Sequence, residues 1–218
     1  MVLYRPDPTF PGDDAAAGAP SGKRVFDVAA ALVLLTLAAP LMAAVAVAVK
    51  LDSPGPVLFR QERRGRGGPF PMLKFRTMHV DAERRLADVL ATDPALALEY
   101  GTYHKLARDP RATRTGRALR RMSLDELPQL WNVLAGDMSL VGPRPYMPHE
   151  LADHPREREV LSRVRPGITG LWQVSGRHRT TFGERLAIDV RYAETRSAWL
   201  DLCILARTVW AVVRAGGA

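Results

Sequence analysis

Two adjacent carboxylates, Asp125 and Glu126, follow a stretch crowded with arginine: Arg108, Arg111, Arg114, Arg117, Arg120 and Arg121 all precede them. Nearby cations favour the ionised form of a carboxylate, and the planar guanidinium fork suits phosphate. A bare carboxylate among phosphate binders is the arrangement needed to hold a divalent metal or to attack phosphorus. An Asp-Glu pair alone is equally an ordinary solvated helix surface, so the case rests on what positions it. Ser123 and Glu126 have capping-box spacing. Pro128 is better tolerated in a first turn, which would start the helix near Asp125. Either register puts the pair at or near a helix N-terminus, where unpaired N–H groups add positive potential.

The flanking elements are legible from composition. Val57–Gln61 and Phe70–Arg76 are short extended runs joined across Gly65-Arg66-Gly67-Gly68, a hairpin signal. Pro71 restricts its strand to an edge. Amphipathic spacing predicts a helix over Asp81–Leu90, and a second piece runs on from Pro94 towards Lys105. Thr115–Arg121 reads as a basic helix, and Gln129–Leu134 as a helix stopping at Gly136. Val141–Pro145 and Arg165–Gln173 read as rigid loops that present polar groups. Trp199–Arg214 is an apolar helix whose tryptophans and arginines suit a membrane interface.

The chain has 218 residues and a formal net charge of +8, with a pI of about 10.2. That balance calls for an anionic partner: nucleic acid, a phosphorylated metabolite or an acidic membrane surface. No groove-reading motif appears, and the arginines cluster around carboxylates instead of forming an unbroken stripe, which argues against nucleic acid. Cys203, the single cysteine, excludes an intrachain disulfide and lies in an apolar run that suggests a buried, inert thiol. The five histidines are scattered without zinc-ligand spacing.

Val25–Val49 is almost wholly apolar. As a straight helix it measures about 37 Å, against a hydrocarbon core of roughly 30 Å. Pro40 sits in its interior and removes a helix hydrogen bond. Both flanks are basic, with Lys23-Arg24 before it and Lys50, Arg60, Arg63, Arg64 and Arg66 after it. A hairpin that re-enters the same leaflet puts both flanks in the cytoplasm, whereas a single span satisfies only one. Asp27 then needs a partner, for which Lys23 and Arg24 are the candidates. Residues 1–22, rich in Pro, Gly, Ala and Asp, read as a disordered tail. Residues 23–50 read as the re-entrant helix, and 51–214 as a cytoplasmic catalytic domain. The fold class expected is α/β, mostly helical: a small domain around a short hairpin, docked on the membrane helix and on interfacial amphipathic helices.

Several long motifs in order carry a resemblance. Lys23-Arg24-Val25-Phe26-Asp27 opens the apolar run, and Lys74-Phe75-Arg76-Thr77-Met78 follows the hairpin. Leu119–Gln129, Asn132–Pro145 and Pro166–Arg177 then succeed one another. Over residues 21–214 the chain resembles the bacterial sugar transferases, the monotopic phosphoglycosyl transferases. The resemblance implies transfer of a sugar 1-phosphate from a UDP-sugar to a polyprenyl phosphate, with UMP as the second product. It implies Mg²⁺, a re-entrant N-terminal helix, and a place on the cytoplasmic face of the bacterial inner membrane. It also implies that Asp125 attacks phosphorus and binds the metal, with Glu126 as its partner in metal or base assistance.

Arg120 and Arg144 correspond to the family's phosphate-contacting arginines. Lys74 and Arg76 are further phosphate candidates, with edge-strand solubility an equal reading. Gln173 and Arg177 are candidates for nucleotide or sugar recognition, or for a structural turn. Asp189 and Tyr192 either face the site or lie on an ordinary surface. Trp131 is read as core packing and Asp137 as a turn residue. The expected partners are the UDP-sugar, the polyprenyl phosphate and the bilayer, with a homodimer left open and nucleic acid excluded. The chain resembles the minimal catalytic form of the family, without extra N-terminal transmembrane helices. It departs from the family pattern at Ala39-Pro40, where serine usually precedes the proline and its hydroxyl would support the bend.

Overall fold

A computed structural model describes residues 22–103, 106, 109–175 and 181–215. The predicted tail falls outside the described residues except for Gly22, and so does Arg177.

Helix α1 (Gly22–Asp52) runs unbroken through Pro40. Pro40 leaves the Thr36 carbonyl without its helix donor, and the Thr36 hydroxyl turns back to the Leu32 carbonyl at 2.9 Å, a contact that tends to bend helices. Leu32, Val33, Leu37 and Leu41 along its middle are exposed. Nearer its two ends, one face packs inward. Ala31 joins the main core with Leu130, Val133, Leu140 and Tyr192, and Val45 and Val49 pack against Phe75 and Leu119.

Strands β1 (Leu58–Gly65) and β2 (Gly68–Phe75) form the predicted antiparallel hairpin, with Gly65 opposite Gly68. The outer edge of β2 is covered by one side chain. Asn132 accepts from the Leu73 N–H at 2.9 Å and donates to the Pro71 carbonyl at 2.9 Å, so its amide stands in for a third strand. Pro69 and Pro71 share Leu73's parity and therefore remove no N–H that the hairpin needs.

Helices α2 (Ala82–Thr92) and α3 (Pro94–Tyr103) follow. Helix α4 (Arg114–Arg121) is capped by Thr113, whose hydroxyl accepts from the Gly116 N–H. Gly116 lies directly on the Thr77 carbonyl, where a Cβ would overlap backbone. Helix α5 (Gln129–Ala135) ends at Gly136 in the left-handed region, as the sequence predicts.

A second, parallel sheet departs from the sequence reading. Strands β3 (Ser139–Val141) and β4 (Gly167–Thr169) pair with Ser139 opposite Gly167; β4 lies inside the segment Arg165–Gln173 read as a loop, and β3 ends at Val141, where the other such segment begins. Gly142 and Gly167 touch backbone to backbone there, leaving no room for a Cβ on either. Helix α6 (Pro155–Ser162) lies between the strands, and α7 (Leu171–Val174), α8 (Phe182–Thr195) and α9 (Ala198–Ala215) follow.

Three further readings are corrected. Asp27 is not paired with Lys23 or Arg24. It is buried and accepts from the Ser139 hydroxyl at 2.7 Å and the Leu140 N–H at 3.2 Å, because α1 packs against β3. Lys23 donates instead to Asp201 at 2.6 Å and to the Val141 carbonyl at 3.0 Å, while Arg24 caps the last carbonyls of α5, Val133 and Leu134. Trp131 is 56% exposed and is not core. Cys203 is half-buried, not sealed.

Candidate active site

The acidic pair sits on a 3-10 turn, Leu124–Glu126, between α4 and α5. The capping box does not form: the Ser123 side chain makes no cap bond, and its φ of 55° is left-handed. Such a conformation in a non-glycine residue costs about 1–3 kcal/mol and concentrates at functional sites. It lets the chain leave α4 sharply, so that Asp125 turns inward and is only 8% exposed. Leu124 and Leu127, on either side of the pair, pack against the cluster formed by Val45 and Val49 of α1. The pair is thereby fixed to the foot of the apolar helix.

Lys74 of β2 donates to Glu126 at 2.6 Å. Arg120 of α4 is held by a 2.9 Å bond from Nε to the Thr77 hydroxyl. Burial pushes the Asp125 carboxyl above the ordinary carboxylate range; Lys74 opposes that rise, Glu126 adds to it, and Arg120 opposes it. The site is therefore a buried carboxyl facing two cations.

A second cluster lies beyond the first. The Arg144 guanidinium stands 5.9 Å from the Trp172 ring centroid, and Arg185 stands 5.4 Å from it. Asp189, fully buried, accepts from the Arg144 backbone N–H at 3.1 Å and from the Tyr146 hydroxyl at 2.8 Å. Burial raises the Asp189 carboxyl to about 6, against the opposing pull of those hydrogen bonds and of Arg144 and Arg185. Gln173, beside Trp172, buries its Oε1 with no hydrogen-bond partner among the described residues. Arg63 connects the clusters. Buried, it donates to the Pro145 carbonyl at 3.0 Å, and its guanidinium is held below its ordinary value by burial and by Arg144, opposed by Glu150 and Glu126.

The structure thus brings Lys74 and Arg120 to the dyad, and sets Arg144 and Gln173 in the adjoining cluster. Arg76 goes elsewhere. Its guanidinium is buried on the Ser53 and Pro54 carbonyls, so it braces the turn after α1 and is not assigned to phosphate. Asp189 and Tyr192 are fully buried, which rules out the surface reading. Asp137 follows the Gly136 cap and accepts from Asn132 at 3.2 Å, as a turn residue does. Sequence reasoning counted Arg63 only as flanking charge; its register opposite Phe70, a core position, was the available signal.

Among the described residues no three His, Cys, Asp or Glu side chains gather as a metal cage. Mg²⁺ commonly takes one or two carboxylates plus substrate phosphates, so Asp125 with a bound diphosphate fits its donor chemistry.

The family profile described as "Bacterial sugar transferase" matches residues 19–215. The chain belongs to that family. It is 43% identical over 197 residues to a UDP-galactose-lipid carrier transferase of Erwinia amylovora, covering 90% of this chain and 41% of that protein. It is 40% identical over 214 residues to the exopolysaccharide production protein ExoY of Rhizobium meliloti, covering 96% of this chain and 95% of that protein. With the UDP-glucose:undecaprenyl-phosphate glucose-1-phosphate transferase of Caulobacter vibrioides it shares 48% identity over 196 residues, covering 86% of this chain and 68% of the relative. The chain spans about four tenths of the length of some relatives, the Erwinia protein among them.

Proposed function

We propose that this sugar transferase moves a sugar 1-phosphate from a UDP-sugar to a polyprenyl phosphate, initiating exopolysaccharide or another glycoconjugate at the cytoplasmic face of the bacterial membrane. The observation that carries the reading is the position of Asp125, a buried carboxyl facing Lys74 and Arg120 on a turn packed against an apolar helix. The names of the relatives point the same way.

Both substrates are anionic. Bringing them together directly sets two phosphates against each other, and a covalent relay avoids that encounter. An Asp125 carboxylate oxygen attacks the sugar-bearing phosphorus; the new O–P bond forms as the bond to UMP breaks, and UMP leaves with the electron pair. The acceptor phosphate oxygen then attacks the same phosphorus and Asp125 departs unchanged. Lys74 and Arg120 favour the ionised nucleophile, and Lys74 orients Glu126. Arg144 and Gln173 are the side chains for the nucleotide or sugar end. Asp125, together with the diphosphate, would hold Mg²⁺, which would supply charge neutralisation on the phosphates.

The same reading makes α1 re-entrant. Lys23 and Arg24 at its start and Val49 at its end contact one globular domain. A helix crossing a hydrocarbon core of roughly 30 Å would have its ends on opposite sides.

The test uses the purified chain, Mg²⁺, polyprenyl phosphate and a panel of UDP-sugars. UMP release that needs Asp125, together with donor label retained on the intact polypeptide before acceptor is added, is the expected result. Turnover undiminished in Asp125→Asn overturns it.

A further inference from the structure

A cavity of ≈ 750 Å³ opens at the far end of α5 from the dyad. Arg24 lines it and bonds the C-terminal carbonyls of α5, whereas Asp125 precedes that helix's N-terminus. The length of α5, about 10 Å, therefore lies between this cavity and the acidic pair. Its lining holds six cations, Lys23, Arg24, Arg66, Arg163, Arg165 and Arg196, against two carboxylates, Asp27 and Asp201. Both carboxylates are committed: Asp27 to Ser139 and Leu140, Asp201 to Lys23 and Tyr192. Arg24 donates to the Val133 and Leu134 carbonyls, which fixes it without neutralising it, and Arg165 donates to the Gly136 carbonyl. Arg66 and Arg196 make no hydrogen bond or ion pair with other described residues, and Arg163 meets only the exposed Glu159.

These cations come from separate places: the hairpin turn, the start of α1, the segment between α6 and β4, and the end of α8. Lys23, Arg24 and Arg165 also brace the fold, whereas Arg66, Arg163 and Arg196 have no buried counter-charge among the described residues. Like charges repel, so gathering them in one concave site costs stability unless an anion enters. The rim is apolar. Phe26 of α1 and Leu202 of α9 line the cavity and are 46% and 51% exposed. Val25 and Trp199, in the same two helices, are exposed as well, and apolar and tryptophan side chains of this kind suit a bilayer interface.

We propose that this cavity seats the phosphate-bearing headgroup of an anionic bilayer phospholipid, with its acyl chains running out over Phe26 and Leu202. The volume is within the range of small-ligand sites. The cations answer the headgroup phosphate, and the rim answers the chains. The site anchors the N-terminal end of α1 and leaves the dyad free for substrate. The inference rests on the membrane reading of α1 and is independent of the chemistry at Asp125.

The experiment titrates the full chain, purified in neutral detergent, with dihexanoyl phosphatidylglycerol, dihexanoyl phosphatidylcholine and inorganic phosphate, reading the thermal midpoint and the dissociation constant. Phosphatidylglycerol is expected to bind saturably and raise the midpoint, phosphatidylcholine to do neither, and phosphate to act more weakly than phosphatidylglycerol. The Arg66→Gln, Arg163→Gln and Arg196→Gln variants, singly and combined, should each weaken phosphatidylglycerol on the order of fivefold. UMP release from detergent-dispersed acceptor should stay at the wild-type rate in all of them, so a failed dyad and a failed lipid site give different results. Equal binding of the two lipids, phosphate as effective as phosphatidylglycerol, or unweakened binding in the triple variant overturns the proposal.

Discussion

Asp125 is held above the usual carboxylate range chiefly by burial, and that sets two expectations with opposite signs. Replacement by Asn should cut UMP release by roughly 10³-fold or more, as removal of a nucleophile does. It should also raise the thermal midpoint at pH 7, because a buried charge that the fold disfavours is removed. The sign follows from linkage: the folded chain keeps this proton after the unfolded chain has lost it, so ionised Asp125 costs stability above its ordinary value of 3.8. The gain should fade as the pH is lowered towards that value. Lys74 works against the burial effect, so Lys74→Gln should move the acid limb of the rate profile to higher pH and lower kcat/KM by about 10–10²-fold. A pH series on both variants checks these together. At this scale the site was partly legible. Asp125, Glu126 and Arg120 share one contiguous motif, and Lys74 lies in another. Arg63 was not, since its role comes from contacts with Pro145 and Glu150, more than eighty residues away, and Arg76 was misassigned because an arginine bound to carbonyls looks the same in sequence as one awaiting phosphate.

Elements built on local signals came through the sequence reading intact. The glycine turn and the Gly136 stop each act within a few residues. The parallel pair β3 and β4 did not, because strands of three residues each carry no periodicity and their pairing is non-local. Asn132 shows the same limit: within its helix it looks like any polar residue, yet it completes the hairpin edge. Asn132→Ala should destabilise the fold by about 2–4 kcal/mol, since it strands a buried donor and a buried acceptor, and chemical denaturation measures it. The course of α1 is tested by placing Gly22→Cys or Gly101→Cys in a Cys203→Ser background. A membrane-impermeant maleimide added outside intact cells should label neither position. Labelling at residue 22 alone would establish a span.

For the molecule as a whole, acid response is set by opposing groups. Asp189, raised to about 6, holds a proton in the folded state between its ordinary 3.8 and that value. Its contribution to stability therefore falls as pH rises across that window, then levels off. Asp52 and Asp109 run the other way, held low by hydrogen bonds from Thr113 and from Arg111 respectively, so they stabilise above the ordinary value and lose that as pH falls. Asp189→Asn should flatten the midpoint-versus-pH curve between about pH 4 and 6 and leave the more acidic limb in place, which calorimetry across that range reads directly.

The sockets for Lys23, Arg24 and Asp27 have a consequence for how the chain is made. The ribosome delivers these side chains first, but the groups that receive them, from Val133 to Asp201, emerge more than a hundred residues later. The domain can close only once α9 has been translated; on the proposed membrane reading of α1, the apolar segment meets the lipid while its polar head is still unmatched, and final folding takes place on the membrane. A fragment begun at Ser53 would lack the plug for its own core. It should be recovered as aggregate and not as a soluble enzyme.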